Sequence, residues 1–460
     1  MIDKRQEGVK NNDSVVNDAV HGVMSFPVGD KAILKSIINS ENFQRLRHIK
    51  QLGLAELIFP TAVHNRFSHC LGTAYIACRM SDKLGLTGDD KRYAMIGALF
   101  HDIGHGPFSH AFESFLVNKN EKKVKHEGWT ESFLREFEDV LEKSRLNYKI
   151  ISGLIQKKEK IAGGNVNYYL IRDIITSQVD ADRLDYLLRD AHFCGVPYGN
   201  PDIDWIIEHA TRIDETEQPP RLGFLKKGWH AVEHFLLCRR IMTQNICYHN
   251  KINFFENLFR YFLSAVSDSE DGNLIDKINN SKLKKFIAAA GKYRKSSDSP
   301  ESFIQENYAY YKTLTDYDIW TIIRDFSVNG SGDVSEMAKK IYGRQPHQTF
   351  QFEPTCEGAV SSILKKWRDE TETPEWKAFI IKSDDMAYES QDDPILIKED
   401  KNSNKVQRIQ QYSDLLKMIG DKSEKKCYLA LDKSVIKEGQ KLKIALKLYI
   451  PRLEGAVSIT

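Results

Sequence analysis

The stretch Tyr93 to His110, YAMIGALFHDIGHGPFSH, constrains this chain more than any other. An apolar run of helical character ends on His101-Asp102, so an imidazole and a carboxylate close a helix otherwise suited to a core. Taken alone, a His-Asp pair is a surface hydrogen bond. At the end of a buried helix the two groups are costly unless satisfied, and a metal ion satisfies them. Gly104, Gly106 and Pro107 then end the helix and make a tight turn that places His105 and His110 near the same end. Phe108 is expected to begin another helix, on which His110 and Glu113 lie three apart on one face. Histidines packed this densely beside a breaker make a poor core and a good acid–base cluster. His126-Glu127 can return a further imidazole to the site, although its spacing equally describes the start of a surface helix.

Four residues have metal-ligand character: His69, His101, Asp102 and Asp182. Adjacent helical positions diverge by about 100°, yet His101 and Asp102 can both close on one ion in a groove. Imidazole nitrogen with carboxylate oxygen suits iron, manganese, zinc or magnesium. The set contains no cysteine, which argues against a structural zinc site. Asp182 on its own reads as a helix N-cap. No HExxH string occurs, which disfavours a zincin-type protease.

The rest of the pattern is mainly helical. Residues 1–14 are polar, and Val15 to Phe26 reads as an extended, turn-rich entry. Apolar spacings of three and four mark a helix from Lys31, then helices near 65–85, 89–103, 108–118, 126–143, 147–156, 166–178 and 181–193. A hairpin or loop is expected around 212–225, followed by one long helical tract over 228–267 with few breakers. Gly330-Ser331-Gly332 reads as a flexible joint. Beyond it, Ala378 to Ile381, Pro394 to Ile397, Cys427 to Leu431 and Leu442 to Ile450 read as strands, with a helix near 411–420 among them. The expected organisation is a flexible N-terminus over 1–14, a helical domain over 15–330 and a smaller α+β lobe over 331–460.

Composition excludes several classes. A net charge of +2 gives no general pull toward nucleic acid or membrane, although Lys122, Lys123 and Lys125 form a local basic cluster suited to phosphate. Seven scattered cysteines without a CxxC pair predict neither a disulfide framework nor a zinc ribbon, which points to a reducing cytoplasm. No apolar run is long enough to span a bilayer, and the N-terminus has no signal-peptide character.

Three strings together carry a family resemblance: Arg66 to Gly72 (RFSHCLG), His101 to His110 (HDIGHGPFSH) and Asp180 to Asp190 (DADRLDYLLRD). With Val16 to Gly22 (VNDAVHG) and Gln44 to Gly53 (QRLRHIKQLG), they resemble the HD-domain deoxynucleoside triphosphate triphosphohydrolases, over about residues 15–255. The resemblance implies an HD-domain helical bundle, with His69, His101, Asp102 and Asp182 as metal ligands and His105, His110, Glu113 and His126 as the catalytic group. It implies phosphate contacts from Arg66, Arg183, Arg240 and Tyr186. Gln51 and Asp190 match groups holding the sugar 3′-hydroxyl, and Leu52 and Tyr248 match the pair packed on the sugar. Arg189 and Asp190 read equally well as a plain ion pair. Asn17, Gln44, Arg47 and Phe59 match residues of a nucleotide activator site. Departures lie at Asn39, where the vertebrate enzyme reads guanine with an Asp, and at Gln244, where it has a histidine above the base.

The expected reaction is metal-dependent hydrolysis of dNTP to deoxynucleoside and triphosphate, in a dimer or tetramer with a nucleotide activator as a further partner. A different HD phosphohydrolase, acting on monophosphates, cyclic nucleotides or alarmones, would keep the same metal set. A nucleotide sensor or nucleic-acid-binding module is a third reading. The absence of a clear aromatic-basic interleaved stretch weighs against nucleic acid as a partner.

Overall fold

The computed structural model describes residues 14–159, 167–214, 218–269, 273–386, 393–419 and 423–453. The helix Arg66–Lys83 forms the axis of the fold. Asn65 caps it, its side-chain oxygen accepting from Ser68 N at 3.0 Å. Its residues are buried on several faces rather than along one stripe, as expected of a helix surrounded by others. Close packing begins at Gly72, where a Cβ would lie 1.8 Å from Asp185 Oδ1. The helix Ala181–Cys194 therefore lies directly against it, and ends at Gly195 in the left-handed conformation that favours glycine (φ +69°). Gly88–Phe100, Tyr148–Ile155 and Tyr168–Ile175 complete this side of the core. The expected tract 126–143 is divided into His126–Arg135 and Glu138–Lys143.

A second group of helices closes the bundle: Asn250–Ser267, Ser281–Lys295, Pro300–Tyr311, Asp316–Asn329 and Gly332–Tyr342. Trp129 joins the two groups. It is 1% exposed and stacks on Tyr311 with ring centroids 3.8 Å apart. Buried Arg45 ties the same region together, donating to the carbonyls of Ile103, His105 and Leu314.

The single long helix expected over 228–267 is interrupted. Trp229–Met242 runs into a π-helical turn, Thr243–Cys247, and Asn250–Ser267 starts afresh after the extended His249. No glycine or proline marks this break, so composition hid it. Gly330-Ser331-Gly332 is not a joint between lobes. It is the tight link between two helices, and Val334, Met337, Ala338 and Ile341 of the second lie in the main core. The boundary expected at 330/331 thus falls inside a packed helix pair.

Three small sheets accompany the helices. β1 (Ser14–Asp18) and β2 (Gly22–Phe26) form an antiparallel hairpin. β3 (Ala210–Ile213) and β4 (Arg221–Leu225) form a second hairpin, the expected excursion; residues 215–217 of it lie outside the described residues. β5 (Gln348–Phe352), β6 (Ala378–Met386) and β9 (Ser423–Leu431) form an antiparallel sheet in the order β5-β9-β6. β7 (Leu396–Lys398) leaves that sheet and pairs parallel to β4, with β8 (Val406–Arg408) antiparallel on its outer side. The C-terminal chain thereby embraces the helical lobe. The helix near 411–420 is Asp414–Ile419.

The strand expected over Leu442 to Ile450 is instead the helix Gln440–Leu446 with a turn after it. The sequence KLKIALKLYI satisfies both periods. Leu442, Leu446 and Ile450, four apart, are buried, whereas Ile444 and Leu448 are 72% and 88% exposed, so the helical period prevails.

Replacing Trp129 by Ala is expected to lower stability by about 3–5 kcal/mol, the range for emptying a large aromatic site in a core. A shift of the urea midpoint with an unchanged slope would record it.

Candidate active site

Three helices deliver the metal-ligand set. His69 sits in the first turn of Arg66–Lys83, His101 follows the last residue of Gly88–Phe100, and Asp182 lies in the first turn of Ala181–Cys194. The N-cap of that third helix is Asp180, which accepts from Arg183 N at 2.7 Å. Asp182 is therefore not the cap, and its carboxylate turns to the cluster. Its Oδ1 lies 3.1 Å from His69 Nε2 and 3.4 Å from His101 Nε2. Asp102 Oδ2 lies 3.5 Å from both imidazoles.

The imidazole tautomers show what the cluster fits. His101 Nδ1 is 2.7 Å from Ala98 O, an acceptor only, and His69 Nδ1 is 2.7 Å from the Asp185 carboxylate. Both Nδ1 atoms therefore donate, and in neutral rings both Nε2 atoms present lone pairs. Those Nε2 atoms face each other at 3.1 Å, an arrangement a cation stabilises and nothing neutral does. Burial pulls the His69 imidazolium down, yet Asp182 and Asp185 outweigh it and raise it to about 10. The field at this point thus favours positive charge. The donor set, two imidazoles with carboxylates, fits a divalent ion.

A second cluster adjoins the first. Asp102 Oδ1 is 3.3 Å from His105 Nε2, so the carboxylate spans both. His105 stacks on His126 at 3.7 Å and meets His110 edge-on at 4.9 Å. Glu113 accepts from His126 Nδ1 at 2.7 Å and pairs with His110 Nδ1 at 3.5 Å and Lys123 Nζ at 3.0 Å. Burial opposes ionisation of Glu113, but His110 and His126 prevail and hold its carboxyl far below the usual carboxylate range. Burial, with Arg66 and His126 close by, holds His105 well below the usual imidazolium range. His105 is thus neutral, while the His110 side chain is 65% exposed at the rim.

Backbone strain aims His110. The helix begins at His110, not Phe108, because Phe108 and Ser109 both adopt positive φ (53° and 55°). Asp316 secures this turn: its Oδ1 accepts from Phe108 N at 2.7 Å and its Oδ2 from Lys50 N at 2.9 Å. Burial pushes the Asp316 carboxyl up to about 7 against the pull of those two N–H groups. Ser109 Oγ donates to Lys50 O at 2.9 Å and accepts from Arg66 Nε at 2.8 Å. Arg66 continues to Asp102 through Nη1.

The expected substrate residues divide. Arg183 lines a cleft of about 1170 Å³ with His101, Asp102, His126 and Asp182; Lys123, Lys125, Arg135, Lys157 and Lys158 also line it. Arg66 is buried against Asp102 and stands within the metal centre. Tyr186 is half-buried near Arg183 and Arg239; burial pushes its phenol up to about 12 although both cations oppose this. Gln51 is buried, its Oε1 without a hydrogen-bond partner among the described residues, and Leu52 is half-buried on the core. The Arg189–Asp190 ion pair does not form. Asp190 pairs with His64 Nε2 at 2.7 Å, while Arg189 donates to Asp185. Arg240 and Gln244 both donate to Glu424 of β9, at 3.2 and 2.6 Å. Tyr248 follows the π turn. Of the expected activator residues, Gln44 accepts from Arg47 Nε at 2.7 Å, Phe59 meets His249 edge-on, and Asn17 is exposed on β1.

Sequence reasoning missed His64, Asp185, Ser109, Asp316 and Glu424. Asp185 and Arg189 carried a signal, an i, i+4 pair in DRLDYLLRD. Asp316 carried none, being more than 200 residues from the turn it holds. All seven cysteines are free, and no helix among the described residues is long and apolar enough to cross a membrane.

The HD domain family matches residues 66–190. An uncharacterized protein of Methanocaldococcus jannaschii is 33% identical over 263 residues, 56% of this chain and 51% of that protein. The deoxynucleoside triphosphate triphosphohydrolase SAMHD1 homologue of Dictyostelium discoideum is 34% identical over 197 residues, 40% of this chain and 37% of its own length. The chain thus spans about half or less of the length of these relatives. A solved phosphohydrolase structure from Bacteroides thetaiotaomicron shares the fold, with a TM-score of 0.72 and 24% identity over 91% of this chain and 100% of that one. The helices that deliver His69, His101, Asp102 and Asp182 therefore form an HD domain, and the chain resembles the HD-domain deoxynucleoside triphosphate triphosphohydrolases.

Proposed function

We propose that the chain hydrolyses deoxynucleoside triphosphates to deoxynucleoside and triphosphate. The observation that carries this reading is the double cluster joined by Asp102. A metal-ligand set and an acid–base set share one carboxylate at the floor of a cationic cleft. A divalent ion held by His69, His101, Asp102 and Asp182 would polarise water and an α-phosphate oxygen.

The chain's own groups supply the rest. Arg183 and Arg240 each keep a buried guanidinium nitrogen without a hydrogen-bond partner among the described residues (Nε and Nη1), donors that a phosphate chain would satisfy. Lys123 and Lys125 extend the positive lining. Water attacks the α-phosphorus, the bond to the 5′-oxygen breaks, and that oxygen takes a proton. His110 is the donor in this reading, since it is accessible at the rim and paired with Glu113. Ionised Glu113 steadies the protonated imidazole and orients His126. Neutral His105, stacked between them and Asp102, keeps the two clusters in register.

The test is incubation of the purified chain with the four dNTPs, ATP and GTP, singly and mixed, with Mn²⁺ or Mg²⁺, followed by product separation. Deoxynucleoside with intact triphosphate is expected, and activity in mixtures alone would reveal an activator. Monophosphate and pyrophosphate as products would overturn the proposal. Asp102→Ala is expected to reduce turnover by more than about 100-fold, since it removes a ligand and the bridge between clusters. Arg183→Ala is expected to cost about 10²–10³-fold on triphosphates and far less on monophosphates. Equal loss on both would favour a monophosphate-type HD phosphohydrolase.

A further inference from the structure

The metal ligand His69 is held from behind by residues outside the HD helices. Asp185, 0% exposed, uses both carboxylate oxygens. Oδ2 accepts from His69 Nδ1 at 2.7 Å and from Arg189 Nε at 2.8 Å. Oδ1 lies 2.6 Å from His21 Nε2 and accepts from Arg189 Nη2 at 2.9 Å. Arg189 reaches on to Asp18, Nη1 to Oδ2 at 2.8 Å and Nη2 to Oδ1 at 3.2 Å. Asp18 Oδ1 also accepts the backbone N–H of Val20 and His21, at 2.9 and 3.0 Å, and so fixes the turn that presents the His21 ring. Asp18 ends β1, and His21 lies just before β2. The His21 and Asp18 side chains are 4% and 7% exposed, although Asn17 and Val23 of the same hairpin face solvent.

We infer that the N-terminal hairpin completes the metal centre: Asp18 and His21 are positioning residues that act through Asp185 on the ligand His69. The inference rests on the proposed metal centre. The physical case is that a carboxylate accepting from the far nitrogen of a metal-bound imidazole fixes its tautomer and rotation and raises its basicity. Asp185 can do this only while it is itself held. Buried on every side, it would otherwise swing to satisfy its charge elsewhere or lose that charge to desolvation. His21 and the Asp18–Arg189 pair occupy the positions that prevent both. The empty space at Gly72, where a Cβ would also lie 2.6 Å from Arg189 Nη2, shows that the axial helix is shaped to admit this network.

The experiment titrates metal-stripped full-length protein with Mn²⁺ by calorimetry, alongside thermal unfolding of each metal-free form. His21→Ala and Asp18→Asn are expected to weaken Mn²⁺ binding about 10- to 100-fold. His21→Gln, which keeps a donor for Asp185, is expected to recover most of the affinity. Val23→Ala, on the exposed face of the same hairpin, is expected to bind as the unchanged chain does. If His21→Ala and Asp18→Asn bind Mn²⁺ like the unchanged chain, the inference is overturned and the proposed function stands. The same holds if they lose only thermal stability, because a purely structural tie moves the unfolding temperature and leaves the affinity alone. If the unchanged chain itself binds no Mn²⁺, or binds it equally after Asp182→Ala, the metal centre falls and this inference with it.

Discussion

Two imidazole Nε2 atoms facing each other at 3.1 Å set the terms for the rest of the molecule. Lone pairs at that distance repel unless positive charge lies between them. The protein supplies carboxylates on every side of that point and spends helix ends to bring them there. His69 and Asp182 occupy first turns and His101 the end of a third helix, so three chain segments remote in sequence converge. Close helix packing at Gly72 sets their separation.

Asp102 transmits this arrangement to the acid–base group. One oxygen faces the metal-ligand imidazoles and the other faces His105. Behind it a relay runs through Arg66, Ser109 and the backbone of Lys50 and Phe108 to Asp316. This relay holds two non-glycine residues at positive φ, a conformation that is costly and persists only where surroundings over-determine it. The consequence is that His110 leaves the core and stands at the rim of the cleft while Glu113, three residues on, stays buried.

Much of this was legible in the chain. HDIGHGPFSH and DADRLDYLLRD named the residues of both clusters, because ligand and acid–base chemistry need particular side chains at particular spacings. Helices with a single amphipathic period, such as Lys31–Ile38, were equally plain. What failed to show were relations that depend on the third dimension. Asp316 and Glu424 are ordinary acidic residues until the fold brings them to Phe108 and Arg240. Leu442 to Ile450 satisfied two periods at once, and only burial chose between them. Arg189 and Asp190 are neighbours in sequence, yet a helix points adjacent side chains about 100° apart, so each found a different partner.

The π turn at Thr243–Cys247 carries a consequence for how such a chain can change over generations. A π turn is an α-helix with one residue too many. Deleting a single residue there would restore regular geometry locally while rotating everything downstream by about 100°. Phe254, Phe255, Leu258, Phe259 and Phe262, all buried, would turn away from the core. The segment can therefore accept substitutions but not a change of length, and its irregularity works as a phase marker that keeps the two halves of the bundle in step.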